Sequence, residues 1–222
     1  MYNINAKDIA VGRGGALKVA SLSGAVFTQT DIGFQENYNL DGAERIGVDG
    51  NGFAWVVRGD GRVFQQVDSG SGWAEIFNIL ASDISFGPIS GTPLAIGNDG
   101  KVLSLKASGW EESYNVGSAT RIAVDNEDFA WVITGTEGTI CRQVDYDSGW
   151  AGGYGMARDI AFGPDGKPWI VGVDGSISVL MDNGWQNMGT IGGPAISLAV
   201  DENNIVYATR EDGAIFTYPY QQ

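Results

Sequence analysis

An all-β propeller of six four-stranded antiparallel blades, one domain spanning residues 1–222, follows from three observations on this chain. Three separate sequence markers recur with one period of about 38 residues, the signature of a stacked repeat. Glycine supplies 34 of the 222 residues, about twice its usual share, and falls between short apolar runs rather than in a linker. No segment carries helical periodicity, so the repeating unit is built of short strands.

The first marker is the leading residue of a short apolar run: Ile9, Ile46, Ile84, Ile122, Ile160 and Leu198, spaced by 37, 38, 38, 38 and 38. The second is a turn glycine: Gly24, Gly61, Gly100, Gly138, Gly175 and Gly213. The third is an aromatic after a glycine: Phe34, Trp73, Trp110, Trp150 and Trp185. In the second unit these markers predict strands over 45–49, 53–58, 62–68 and 73–78, with Gly59-Asp60-Gly61 as the tight turn of the central hairpin. One such sheet leaves two faces and two edges unprotected; six around an axis bury them against one another.

The last unit ends at Phe216-Thr217-Tyr218-Pro219-Tyr220 with no Gly-Trp strand after it. Near the N-terminus, Tyr2-Asn3 aligns with Tyr38-Asn39, Phe77-Asn78 and Tyr114-Asn115, which end the fourth strands of units one to three. The N-terminal strand is therefore expected to complete the sixth blade and clasp the ring. A longer rhythm underlies the short one. Three residues past each marker the chain reads Gly12, Asp49, Gly87, Asp125, Gly163, Asp201, and Phe53-Ala54-Trp55-Val56 returns as Phe129-Ala130-Trp131-Val132. The duplicated element reads as two blades of about 76 residues, used three times.

Composition excludes several chemistries. The chain has no histidine and one cysteine, which removes Ser–His–Asp and Cys–His catalysis, histidine-bound zinc and any internal disulfide. A net charge of −14 disfavours nucleic acid and anionic membrane surfaces as partners. No apolar run is long enough to span a bilayer, and no secretory signal is visible at the N-terminus, so membrane insertion is not expected and a cytoplasmic location is.

Just before each first marker stand Asp8, Arg45, Asp83, Arg121, Asp159 and Ser197. These residues are expected at one end of the inner strands, facing the axis. Paired carboxylates there would suit glycosidase chemistry. Arginines on both sides should instead push the acids down and neutralise the ring, so no catalysis and no catalytic residue is expected. Asp60, Asp99, Glu137, Asp174 and Asp212 precede turn glycines and read as turn formers rather than ligands. Asp125-Asn126-Glu127-Asp128 resembles half of a calcium loop but lacks its glycine and distant glutamate, so no metal or cofactor is expected. Cys141 reads as a small buried hydrophobe.

The outer strands hold the candidate binding residues. Trp73-Ala74-Glu75-Ile76-Phe77-Asn78 and Trp110-Glu111-Glu112-Ser113-Tyr114-Asn115 share an aromatic, a carboxylate, a second aromatic and Asn; Phe34-Gln35-Glu36-Asn37-Tyr38-Asn39 repeats the set with Phe first. Alternation in a strand places the first, third and fifth residues on one face. Rings stack on the C–H faces of sugars while Glu and Asn bond hydroxyls. The candidates are thus Tyr38, Asn39, Phe77, Asn78, Tyr114, Asn115 and Tyr154, with Trp73, Trp110, Trp150 and Trp185 either flooring the pockets or wedging the blades apart. Ile4, Leu40, Ile79 and Val116 follow and are candidates for an apolar notch or for core.

The recurring Gly-Trp, the Ile-Ala-Val-Asp strand and the Ala-Trp-Val strand resemble the tectonin repeat over essentially the whole chain. The resemblance implies a sugar-binding propeller, a lectin of fungal defence recognising O-methylated glycans of bacteria and nematodes, with methylated mannose- or fucose-type sugars as partners and a homo-oligomer possible. Lys18 stands where the second-strand Trp would be, and the sixth unit lacks Gly-Trp. The competing expectation is a propeller scaffold for protein–protein interaction, which would bind through one unrepeated face.

Overall fold

The computed structural model describes residues 4–12, 15–37, 40–68, 72–112, 116–145 and 149–219, and every regular element among them is a strand. The first sheet holds β1 (Ala6–Val11), β2 (Leu17–Ser21), β3 (Val26–Thr30) and β4 (Gly33–Asn37). The second holds β5 (Ala43–Val48), β6 (Ala54–Arg58), β7 (Val63–Gln66) and β8 (Trp73–Ile76). The third holds β9 (Ala81–Phe86), β10 (Pro93–Gly97), β11 (Val102–Lys106) and β12 (Gly109–Glu112). A seven-stranded sheet runs through β13 (Ala119–Val124), β14 (Ala130–Thr134), β15 (Thr139–Asp145), β16 (Gly149–Phe162), β17 (Pro168–Gly172), β18 (Ile177–Met181) and β19 (Gly184–Gly189). The last holds β20 (Ala195–Val200), β21 (Ile205–Arg210) and β22 (Ile215–Pro219).

All pairings are antiparallel between chain neighbours, and the arrangement is a β-propeller. It departs from six separate four-stranded sheets in two ways. The single 14-residue β16 ends one unit and begins the next; Gly152, Gly153 and Gly155 carry the chain round the corner, where the register against β15 jumps from Cys141↔Gly152 to Thr139↔Met156. The final sheet has three strands among the described residues. The expected closing pair Tyr2-Asn3 lies outside the described residues, as do Tyr38, Asn39, Tyr114 and Asn115.

The inner strands follow one another around an axis: β1 packs on β5, β5 on β9, β9 on β13, β13 on β16, β16 on β20, and β20 on β1. One backbone bond recurs at every step. The amide of Ala43, Ala81, Ala119, Ala157 and Ala195 donates to the carbonyl of the preceding unit's turn glycine, Gly24, Gly61, Gly100, Gly138 and Gly175, at 2.8–3.0 Å. The same bond, Ala6 to Gly213 at 2.8 Å, joins the last unit to the first. This is why the second marker is glycine. At Gly213 (φ 80°) a Cβ would stand 2.6 Å from Asn5 Cα, and at Gly24 (φ 84°) 2.7 Å from Gly42 N.

Just after each of those alanines the inner strand carries a bulge, at Ala6/Asp8, Ala43/Arg45, Ala119/Arg121, Ala157/Asp159 and Ala195/Ser197, and opposite Ala81 at Ile96/Gly97. A bulge re-aims the side chains beside it. Here it precedes the charged ring, so one backbone device positions all six ring residues.

The core lies between units. Trp55 and Trp131 are buried against Phe86 and Phe162 of the following unit, with ring centroids 5.4 and 5.6 Å apart. The two-unit rhythm has a structural cause. Asp49, Asp125 and Asp201 are buried, each accepting two backbone amides through Oδ1 and a donor through Oδ2: Trp55 Nε1, Trp131 Nε1 and the Tyr207 hydroxyl. The intervening units carry glycine there because the next unit's loop leans over them; a Cβ on Gly87 would lie 2.7 Å from Asp128 Oδ1 and one on Gly163 2.8 Å from Asn204 Oδ1.

Candidate functional site

Two regions compete for function: the axis, and the clefts between units near the outer strands. On the axis, a cavity of about 540 Å³ is walled by the inner strands and lined at its floor by Asp8, Arg45, Asp83 and Asp159. A second cavity of about 600 Å³ also touches Arg45 and is lined by residues that include Lys7, Glu44, Arg121 and Arg158.

The three ring acids are buried, and each caps the inner strand of the following unit. Asp8 accepts the amide of Ile46 at 2.9 Å, Asp83 that of Ile122 at 2.9 Å, and Asp159 that of Leu198 at 2.8 Å. The expected pairing of all three acids with Arg45 and Arg121 is only partly present. Arg45 reaches Asp8 at 3.2 Å, and Arg121 lies 3.6 Å from Asp159. Asp83, standing between the two arginines in ring order, has neither within ion-pair distance among the described residues. Ser197 occupies the place a third arginine would take and donates to Asp8 at 2.6 Å.

This arrangement overturns the expectation that arginine neighbours hold the acids low. Burial pushes Asp83 up to about 8, against the attraction of Arg45 and helped by Asp8 and Asp159. Burial also pushes Asp159 up to about 7, helped by Asp8 and opposed by Arg45. Desolvation outweighs pairing because two guanidiniums are shared among three carboxylates. An acid that holds its proton at neutral pH is a proton donor in an enclosed space, which is the opposite of an inert ring.

Four of the turn acids are structural. Asp60, Asp99, Asp174 and Asp212 each accept the amide two residues on, closing their turns. In the calcium-like stretch, Asp125 is spent on Trp131 and Arg142, and Asp128 accepts the amides of Ile89 and Ser90. Cys141 is half-buried, 3.9 Å from the Thr134 hydroxyl.

Between units, the tryptophans pack toward the preceding unit. Each joins a core cluster that spans two units: Trp73 that of Ala20, Val26 and Val56, Trp150 that of Ile96, Val102 and Val132, Trp110 that of Trp55, Ile79 and Ala95, and Trp185 that of Trp131, Ile133 and Ile170. All four are half-buried wedges. The aliphatic residues Ile4, Leu40, Ile79 and Val116 belong to the same inter-unit clusters.

Two clefts are described on both sides, and they differ. In the later one, Tyr154 sits with its ring centroid 4.9 Å from that of Trp131, and the Trp185 indole N–H donates to the Tyr154 carbonyl. In the earlier one, β8 ends at Ile76, so Phe77 leaves the row of Trp73 and Glu75 that simple alternation predicts. Asn78 turns the chain with φ 63°, Ile79 is buried, and Phe77 stands 71% exposed. In the same core cluster as Ile79, the Trp110 indole N–H is buried and has no hydrogen-bond partner among the described residues. An orphaned buried donor costs about 1–3 kcal/mol, which a ligand hydroxyl in that position would recover.

No family model matches this chain, and no curated protein matches it. Solved structures do. A gluconolactonase from Xanthomonas campestris superposes with TM-score 0.77 at 11% identity, covering 95% of this chain and 84% of its own. Virginiamycin B lyase from Staphylococcus aureus gives TM-score 0.65 at 14% identity, over 99% of this chain and 85% of its own. YCF48 bound to D1 peptide gives TM-score 0.63 at 15% identity, over 97% and 80%. At these identities the likeness shows the propeller fold alone. It also removes the ground for excluding catalysis: two of these similar propellers are named as enzymes, and burial raises Asp83 and Asp159 rather than leaving them suppressed. The expectation that the protein is no enzyme is accordingly withdrawn.

Proposed function

We propose that the protein binds carbohydrate in clefts between neighbouring blades, in the manner of the tectonin lectins that its repeat resembles. In this reading the seven-stranded sheet is two blades sharing β16, the ring has six blades, and the N-terminal residues complete the last. The observation that carries the proposal is the cleft between the second and third units. It offers an exposed ring, Phe77, beside Asn78, and a buried indole N–H of Trp110 that lacks a partner. Sugar recognition needs a ring face and a hydroxyl partner close together. The Tyr154–Trp185 cleft spends the same groups on each other and is expected to bind weakly or not at all.

A preference for O-methylated sugars fits an apolar floor such as Ile79, which is buried in that cleft. Burying one methyl contributes about 0.8 kcal/mol. A hydroxyl left unpaired in the same notch costs about 1–3 kcal/mol. Together these separate methylated from free sugar by tens-fold or more. Single sites of this kind are weak, and repetition around the ring strengthens attachment to a glycan-coated surface where spacing allows.

The test is a glycan array that includes O-methylated mannose and fucose, followed by titration of the best hit against Phe77→Ala. Selective binding that falls at least tenfold in the variant supports the reading. Absence of any glycan binding, or binding that Phe77→Ala leaves unchanged, overturns it.

A further inference from the structure

The axial cavity carries a feature that the sugar clefts leave unused. Its charged lining is one-sided: Asp8, Asp49, Asp83, Asp159, Asp201 and Glu202 against Arg45 alone. Arg45 is committed to Asp8, and Asp49 and Asp201 are saturated by amides and by Trp55 and Tyr207. Asp83 is different. It is 93% buried (relative exposure 7%), lines the cavity, and accepts one protein hydrogen bond, from Ile122 N, with no ion pair among the described residues. The apolar part of its lining includes Val11, Val48, Phe86, Phe162 and Val200.

We propose that this cavity is a binding site for an organic ammonium ion with a short apolar body, its ammonium group held by Asp83. Three arguments converge. The ring alternates Asp, Arg, Asp, Arg, Asp and then Ser197, so one positive charge is missing from a three-fold pattern. Carboxyl groups outnumber the single guanidinium in this lining, so an ammonium ion that takes the place of the Asp83 proton meets a counter-charge there. The volume, about 540 Å³, lies in the range of small-molecule sites, roughly 300–1,000 Å³, and its apolar walls suit a hydrocarbon chain better than a hydrated metal ion. Among the described residues no three acids converge closely enough to hold a metal.

The charged groups acting on Asp83 are Arg45 on β5, Asp8 on β1 and Asp159 on β16; Arg121 on the neighbouring β13 lines the second cavity and reaches Asp159, and the paired strand β10 presents no titratable side chain. Because burial keeps a proton on Asp83 up to about pH 8, the ammonium ion must displace that proton. Binding therefore strengthens as pH rises to about 8 and levels off above it, with one proton released per ligand below that point.

The experiment is calorimetric titration of the full chain with n-pentylammonium chloride, alongside 1-pentanol and sodium pentanoate. Pentylammonium should bind at about pH 9 at least tenfold more tightly than either control. Its affinity should fall by about tenfold per pH unit below about pH 8. Asp83→Asn should lose at least tenfold in affinity together with the pH dependence. If that variant fails to fold, the wild-type pH profile and the alcohol comparison decide. No binding, equal binding of pentanol, a flat pH profile, or full retention in a folded Asp83→Asn each overturn the proposal. Glycan binding measured in saturating pentylammonium should be unchanged, which keeps the two sites' tests separate.

Discussion

The cleft before the third unit and the cleft before the fifth occupy equivalent places in the ring and share the same wedge tryptophan, yet they use it oppositely. Trp185 closes its cleft by donating to the Tyr154 carbonyl, while Trp110 keeps a buried donor without a partner. The difference arises in the outer strand that precedes each wedge. β16 passes through Gly153 and Gly155, both at positive φ, as one strand with a register jump against β15, and Tyr154 stays inside against Trp131. β8 instead stops at Ile76, and the positive φ at Asn78 sends Phe77 out to solvent. One cleft pairs its tyrosine and tryptophan with its neighbours; the other leaves Phe77 exposed and the Trp110 N–H without a partner among the described residues.

The largest effect expected from this contrast concerns the two aromatic rings. Tyr154→Ala should destabilise the fold by about 2–4 kcal/mol, because it empties a packed inter-unit position. Phe77→Ala should change stability by less than about 0.5 kcal/mol while weakening glycan binding, since its ring is exposed. Denaturant unfolding of both variants checks the pair; equal destabilisation would erase the distinction between the clefts.

Next come the indole N–H groups. Trp185→Phe removes a made hydrogen bond and should cost about 1 kcal/mol without altering glycan affinity. Trp110→Phe removes an orphaned donor and should leave stability equal or slightly improved, while glycan affinity falls about tenfold, worth about 1.4 kcal/mol. Reversed outcomes would show that Trp110 has a protein partner in solution and that the open cleft is not the binding one.

The smallest effect on either cleft is expected from the axis. Asp83→Asn should leave glycan affinity unchanged while flattening the pH dependence of stability. The sign follows from its raised value: between about pH 4 and pH 8 the native state holds a proton that the unfolded chain releases. That contribution is complete below about pH 4 and is lost as pH rises through about 8. Thermal melts across this range should decline more gently for Asp83→Asn than for the wild type. An identical decline would mean that Asp83 is solvated and ordinary.

Much of the ring was legible because its constraints are local and repeated. The marker glycines are forced by close backbone approach at every step, so they recur at a fixed spacing and are visible in any one repeat. The alternation of Asp49, Asp125 and Asp201 with Gly12, Gly87 and Gly163 was equally readable, since the loops that carry Asp125 and Asp201 lie over Gly87 and Gly163 of the preceding units. The second unit's strands fall within a few residues of their expected bounds, but its outer strand ends two residues early. That small difference moves Phe77 off the expected row; the only residue in 73–78 whose type favours the turn is Asn78, at φ 63°.

The chain by itself determined the repeat, the strand content and the residues that meet at each turn, because these depend on spacing, side-chain size and backbone freedom within one period. Tertiary structure decided which charges pair and which donors find acceptors. Arg45 and Arg121 flank Asp83 in sequence order, yet they reach to Asp8 and Asp159. Whether a carboxylate holds its proton therefore rests on burial and on competition among groups in five different units, quantities that no single repeat contains.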